Sequence, residues 1–138
     1  MANKIKIKNK NGFTLIELII VIAIMAILGA IAIPNFLSTS NRARLKADIQ
    51  SAVVIDNAKN MYETETGVFF ESTKTAAEIV TELTNGSYLK KSYTPQTSGA
   101  NWVNDNKMIK LDISSCDQTI KNMWNNLSDE EKNYVKAS

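Results

Sequence analysis

From Phe13 to Leu37 the chain is an almost unbroken apolar run, after which polar residues return in a repeating pattern. One charge, Glu17, interrupts the run near its start. From Leu18 through Asn41, 24 residues, there is none, and Arg42 and Arg44 are the first to return. As a helix rising 1.5 Å per residue this stretch spans about 36 Å, enough to cross a hydrocarbon core of about 30 Å with some tilt. Further on, Leu45, Ile49, Ala52, Ile55, Ala58 and Tyr62 recur at steps of three or four, the mark of an amphipathic helix laid on a domain. Asp48, Asp56, Lys59 and Glu63 are expected off that stripe. The pattern predicts one helix from residue 13 to about 64, apolar in its first half and amphipathic in its second, with Gly67 as its stop. Pro34 lacks a backbone donor and crowds the Ala30 carbonyl, so a kink is expected there, in a region that Gly29 and Ser38-Thr39-Ser40 weaken further.

The rest of the chain, from about 66 to 138, reads as a polar head. Thr75 followed by Glu78 is a capping box that starts a short helix running to about Thr84, with Asn85-Gly86 closing it. Trp102-Val103, the turn around Asn104 to Lys107, and Met108 to Ile113 predict a β-hairpin. Ile109, Leu111 and Ile113 alternate with Lys110 and Asp112, as in a strand with one buried face, and that face is expected against the Leu45–Tyr62 stripe. Residues 117–127 and 129–136 read as helical, the second capped by Ser128 with Glu131. The fold class is therefore α+β: a long, kinked N-terminal helix whose second half packs on a small antiparallel β-sheet with short helices. Three zones follow: 1–12, 13–37 as a transmembrane half-helix, and 38–138 as a head that includes the amphipathic half. A head of this size is marginal alone, so it and the half-helix are expected to unfold together.

Charge sharpens the zones. Lys4, Lys6, Lys8 and Lys10 precede the apolar run and no acid does, an arrangement that holds an N-terminus in the cytoplasm. Without those four lysines the 16 basic residues fall to 12 against 14 acidic ones, a net −2, which gives no global pull on nucleic acid. Of the basic residues 14 are Lys and only 2 are Arg. Histidine is absent, which excludes His-based acid–base chemistry and His metal ligands. No nucleophile elbow, P-loop or paired-cysteine motif occurs, so neither an enzyme nor a cofactor is expected. Cys116, the single cysteine, cannot form an intramolecular disulfide and reads as a small buried residue. Asp129-Glu130-Glu131 lies in the first turn of a predicted helix, where acid suits the macrodipole better than it signals a metal. Lys90-Lys91 beside Tyr88 and Tyr93 reads as a solvated edge rather than a phosphate site, and Trp102 and Trp124 as core.

Gly12-Phe13-Thr14-Leu15-Ile16-Glu17-Leu18, the apolar run behind it and Pro34 together resemble the N-terminus of type IV prepilins and of the pseudopilins of type II secretion and competence systems. The resemblance covers roughly the first third of the chain. It implies that a prepilin peptidase cuts after Gly12 and methylates the new amino terminus, Phe13. It also implies that Glu17, by then the fifth residue, serves filament assembly with Phe13 by pairing with the amino terminus of a neighbouring copy. A carboxylate one turn from its own terminus also partly neutralises it. The region of Pro34 would partly unwind on assembly, or keep a static kink. The implied partners are other copies of the chain, the peptidase, an assembly platform with its ATPase, and the membrane before assembly. The resulting fibre would be an extracellular type IV pilus on the cell surface. The calcium-site segments of major type II pseudopilins are not recognisable, which favours the pilus over a secretion or DNA-uptake pseudopilus.

Two other readings stay open on residues alone. The lysines, the apolar run and Ala30-Ile31-Ala32 fit a secretory signal peptide with a mature start at Ile33. An uncleaved single-span anchor carrying a binding head fits as well. Neither gives Glu17 a task.

Overall fold

The structure is a computed structural model that describes residues 12–137; Lys4, Lys6, Lys8 and Lys10, and most of the zone 1–12, lie outside the described residues. Its first element is α1 (Leu15–Thr66), with Pro34 inside it. Two compact units meet at the Leu37/Ser38 boundary. In the first, residues 12–37, the large apolar side chains are exposed along the helix, from Phe13 and Leu15 to Phe36 and Leu37.

The second unit is α+β. α1 ends where Gly67 takes a left-handed φ of 70° and its N–H reaches the Glu63 carbonyl at 3.0 Å, a conformation open to glycine at no steric cost. α2 (Ala76–Asn85) begins at Thr75 in the expected capping box with Glu78. β1 (Asn101–Asp105) and β2 (Met108–Asp112) form the expected antiparallel hairpin, with Asp105 opposite Met108. Then come α3 (Gln118–Trp124), α4 (Asp129–Asn133) and β3 (Val135–Lys136).

The sheet departs from the all-antiparallel expectation. Its order is β1-β2-β3, and β3 runs parallel to β2, Leu111 facing Val135 and Asp112 facing Lys136. A parallel neighbour needs a crossover of a dozen or more residues, and the segment holding α3 and α4 supplies it. The last predicted helix therefore stops at Asn133 instead of 136. Leu111 N–H bonds the Tyr134 carbonyl at 2.8 Å and Ile113 N–H the Lys136 carbonyl at 2.9 Å, which satisfies a sheet edge that would otherwise be bare.

The stripe on α1 meets this sheet as its spacing predicts. Leu45 and Ile49 pack with Leu111, Ile113, Cys116, Ile120, Leu127 and Val135. Ile55 and Ala58 pack with Phe70, Ile79, Leu83, Leu89 and Ile109. The inward residues of β2 thus serve both clusters, and each large aliphatic side chain buried here contributes about 1.5–3 kcal/mol. Cys116 is one such core residue, and burial pushes its thiol up from the ordinary value.

Three charged residues expected off the stripe are buried: Asp48, Asp56 and Lys59. The reason is that the carboxylates face backbone donors rather than solvent. Asp48 accepts from Gln96 N–H at 2.8 and 3.0 Å and from Thr97 N–H at 2.7 Å. Asp56 accepts from Ile109 N–H at 3.2 Å, and Glu63 from Phe70 N–H at 3.0 Å. Lys59 lies 3.4 Å from Glu63. Spaced about two turns apart, the three acids fasten a loop, a strand and a second loop to one helix face. At the other end, Ser128 and Glu131 form the predicted capping box of α4. The Ser128 N–H, and then Lys46 at 3.2 Å, hold the Glu131 carboxyl below its ordinary range.

In the hairpin turn, residue type opposes backbone. Asn106 and Lys107 have φ of 52° and 65°, the left-handed pair of a two-residue turn, which asparagine tolerates and lysine does not. Lys107→Gly is expected to stabilise the protein by about 0.5–1 kcal/mol, read as a higher urea midpoint at unchanged m-value. A lower midpoint would show that the lysine side chain holds the turn by contacts of its own.

Candidate functional site

The residues singled out at the N-terminus converge on the first turn of α1. Thr14 stands just ahead of the helix, and its side-chain hydroxyl accepts from Glu17 N–H at 3.3 Å. Glu17 reaches back, its Oε2 accepting from Thr14 N–H and from Thr14 Oγ1, each at 2.8 Å. This reciprocal pair is a capping box: two of the donors that a helix start leaves open are satisfied by one carboxylate and one hydroxyl. Negative charge at this end also suits the macrodipole. Glu17 Oε1 has no partner among the described residues.

Phe13 directly precedes this box and is 84% exposed; Gly12 stands immediately before it, with open space around its α-carbon. The peptide joining them is therefore not shielded by any described part of the chain. Behind the box the helix is apolar all round and long enough to cross a membrane. Pro34 sits in it with helical residues on both sides, and Asn35 Nδ2 bonds the Ile31 carbonyl at 3.2 Å one turn back.

Phe13 and Glu17 are thus brought to one helix end, with Pro34 far along the same helix. Thr14 is the residue that the pattern-based reading leaves without a role. Thr-x-x-Glu ahead of an apolar run is the signal that finds it, the same spacing that locates Thr75–Glu78 and Ser128–Glu131.

Elsewhere the head offers little for chemistry. Its grooves are open and shallow, one along α2 lined by Lys74, Thr81, Glu82 and Asn85, another between α1 and α4 lined by Ile49, Val53, Glu130 and Tyr134. Among the described residues no group of three or more His, Cys, Asp or Glu could hold a metal. Lys91, exposed, lies over the Tyr93 ring at 5.1 Å and the half-buried Lys132 over Trp124 at 5.1 Å, so both cations are engaged by aromatic faces.

Comparison with known proteins agrees with this geometry. Residues 7–33 match the family model described as the prokaryotic N-terminal methylation motif. The chain is 30% identical over 123 residues to the type II secretion system core protein G of Aeromonas hydrophila, covering 78% of this chain and 82% of that protein. The protein of the same name from Vibrio cholerae is 28% identical over 103 residues, 72% of this chain and 70% of that one. The type IV wide pilus major component of Thermus thermophilus is 64% identical over 36 residues, 26% of this chain and 28% of that one. No solved structure matches. The chain belongs to the family of type IV pilins and type II secretion pseudopilins.

Proposed function

We propose that the chain is a structural subunit, without enzymatic activity, that is cut after Gly12, N-methylated at Phe13 and polymerised through its N-terminal helix into an extracellular type IV pilus. The observation that carries this reading is the Thr14–Glu17 box. It keeps an intramembrane carboxylate at the helix start, one oxygen occupied and the other open, directly behind the residue that would carry the new ammonium. A buried charge needs a partner, and in a bundle of identical helices the neighbour's terminus is the fitting one. Before assembly, residues 13–37 hold the subunit in the cytoplasmic membrane. The apolar surface that faces lipid there faces other copies in the fibre. Pro34 provides the kink, or the point of unwinding, that lets straight and packed forms of the helix differ. The prepilin peptidase and an assembly platform with its ATPase are the partners this cycle needs.

A second reading is a pseudopilus subunit of a type II secretion or DNA-uptake machine. It is favoured by the length of the matches, since the two core protein G relatives cover 72% and 78% of this chain and the Thermus pilin 26%.

N-terminal sequencing and intact mass of the membrane and fibre forms from the native host test both. The expected mature chain begins at Phe13 with one added methyl. A start at Ile33 would make the product a soluble exported domain, and an intact Met1 would leave an anchored head; either result defeats the subunit reading.

A further inference from the structure

Arginine is used only twice in a chain with 14 lysines, at Arg42 and Arg44, the first charges after the apolar run. Both side chains are exposed, and among the described residues neither has an ion-pair partner. The nearby Lys46 differs, because Glu131 holds it at 3.2 Å. No fold contact therefore explains the choice of arginine over the lysine used everywhere else. Chemistry does distinguish them: a guanidinium presents a planar fork that matches two phosphate oxygens, whereas an ammonium is a compact, strongly hydrated point charge.

Position supplies the ligand. With Phe13 level with the headgroups of one leaflet, the 27 helical steps from Leu15 to Arg42 rise about 40 Å, close to the roughly 40–45 Å of a bilayer with its headgroup regions, so Arg42 and Arg44 come level with the headgroups of the opposite leaflet. Residues two apart on a helix point to different sides, about 200° from one another. A single anion pocket would need them on one face. A ring of lipid phosphates around the helix is met by residues on two sides.

We propose that Arg42 and Arg44 bind the phosphates of anionic phospholipid, phosphatidylglycerol-type headgroups in the outer leaflet, and so fix the depth at which the stored subunit sits before assembly. The proposal rests on residues 13–37 being the membrane span. Leaving the membrane then breaks these contacts, which makes extraction into a fibre sensitive to the anionic lipid content of the leaflet.

The test uses the full chain reconstituted in bilayers with spin-labelled phosphatidylglycerol or spin-labelled phosphatidylcholine as probe. The motionally restricted fraction reports lipid held at the protein surface. Wild type is expected to prefer phosphatidylglycerol over phosphatidylcholine by roughly fivefold at low salt. The preference should fall by about half or more in the R42Q/R44Q double variant, the residue being due to the leader lysines on the other side. It should be only partly retained in R42K/R44K, which keeps the charge and loses the fork. Equal preference in wild type and R42Q/R44Q overturns the proposal. If that equality comes with loss of fibres, the arginines pair instead with carboxylates of a neighbouring copy. Absence of any restricted lipid, phosphatidylcholine included, shows instead that the helix does not span, and so separates failure of the membrane reading from failure of this one.

Discussion

Glu17→Ala is expected to abolish fibres, reducing the sheared-fibre fraction about 100-fold or more, while the subunit still accumulates in the membrane with its processed N-terminus. On the proposed function the carboxylate has two tasks, and they can be separated. Oε2 closes the cap with Thr14 N–H and Oγ1; Oε1 has no partner among the described residues. Thr14→Val removes the hydroxyl half of the cap and leaves the charge, so a loss of only a few-fold is expected, in line with the modest worth of one exposed cap. Glu17→Gln retains an oxygen for the cap but carries no charge to meet an ammonium in a low-dielectric fibre core. It should fail nearly as completely as the alanine variant. The decisive comparison is therefore between glutamine and wild type, by immunoblot of sheared fibres alongside the mature N-terminus of the membrane fraction. Fibres at wild-type level with glutamine would reduce Glu17 to a helix cap and remove the charge pairing from the assembly reading.

Much of this site is legible in sequence because its signals are local. Gly12, Phe13 and Glu17 are singled out by a family resemblance carried within a few residues, and the membrane-length helix by the absence of charge from Leu18 to Asn41. The stripe from Leu45 to Ala58 and the alternation at Ile109, Leu111 and Ile113 are legible for the same reason, since their periods of 3.6 and 2 report which side is buried. What depends on distant partners is not legible. Val135 pairs with Leu111 across a 24-residue separation, and nothing in its own neighbourhood, a short capped helix, announces a strand. The burial of Asp48 and Asp56 is hidden for a related reason. A charged residue near an apolar stripe is read as solvated unless its acceptor atoms are known to meet donors, and those donors sit in residues 96, 97 and 109. Residue type alone carries no trace of such a contact.

Asp48 is where that hidden layer has its largest expected effect. It lies on the buried line of α1, three residues after Leu45 and four before Ala52, and only 1% of its surface is exposed. Both its oxygens are used by Gln96 and Thr97, the two residues after Pro95, so it fastens the whole connection between α2 and β1. Asp48→Ala leaves two backbone donors facing an apolar wall. At about 1–3 kcal/mol for each orphaned buried donor, a loss of about 3–5 kcal/mol is expected. That is a large share of the total for a head this small, which stands within the usual range of about 5–15 kcal/mol. Asp48→Asn should fall between, because its amide keeps one acceptor and turns a donor toward the second N–H. Asp56→Ala, which releases the single bond from Ile109 N–H at 3.2 Å, should cost less than either. Urea unfolding of the full chain in detergent, followed through Trp102 and Trp124 fluorescence, gives the three midpoints. A midpoint for Asp48→Ala within error of wild type would mean that water reaches residues 96 and 97. The aliphatic stripe would then hold helix and head together unaided. The expected order, alanine at 48 worst, asparagine next and Asp56→Ala least, would instead make backbone capture by helix carboxylates the second half of that attachment, beside the apolar contact that the spacing of Leu45, Ile49 and Ile55 already predicts.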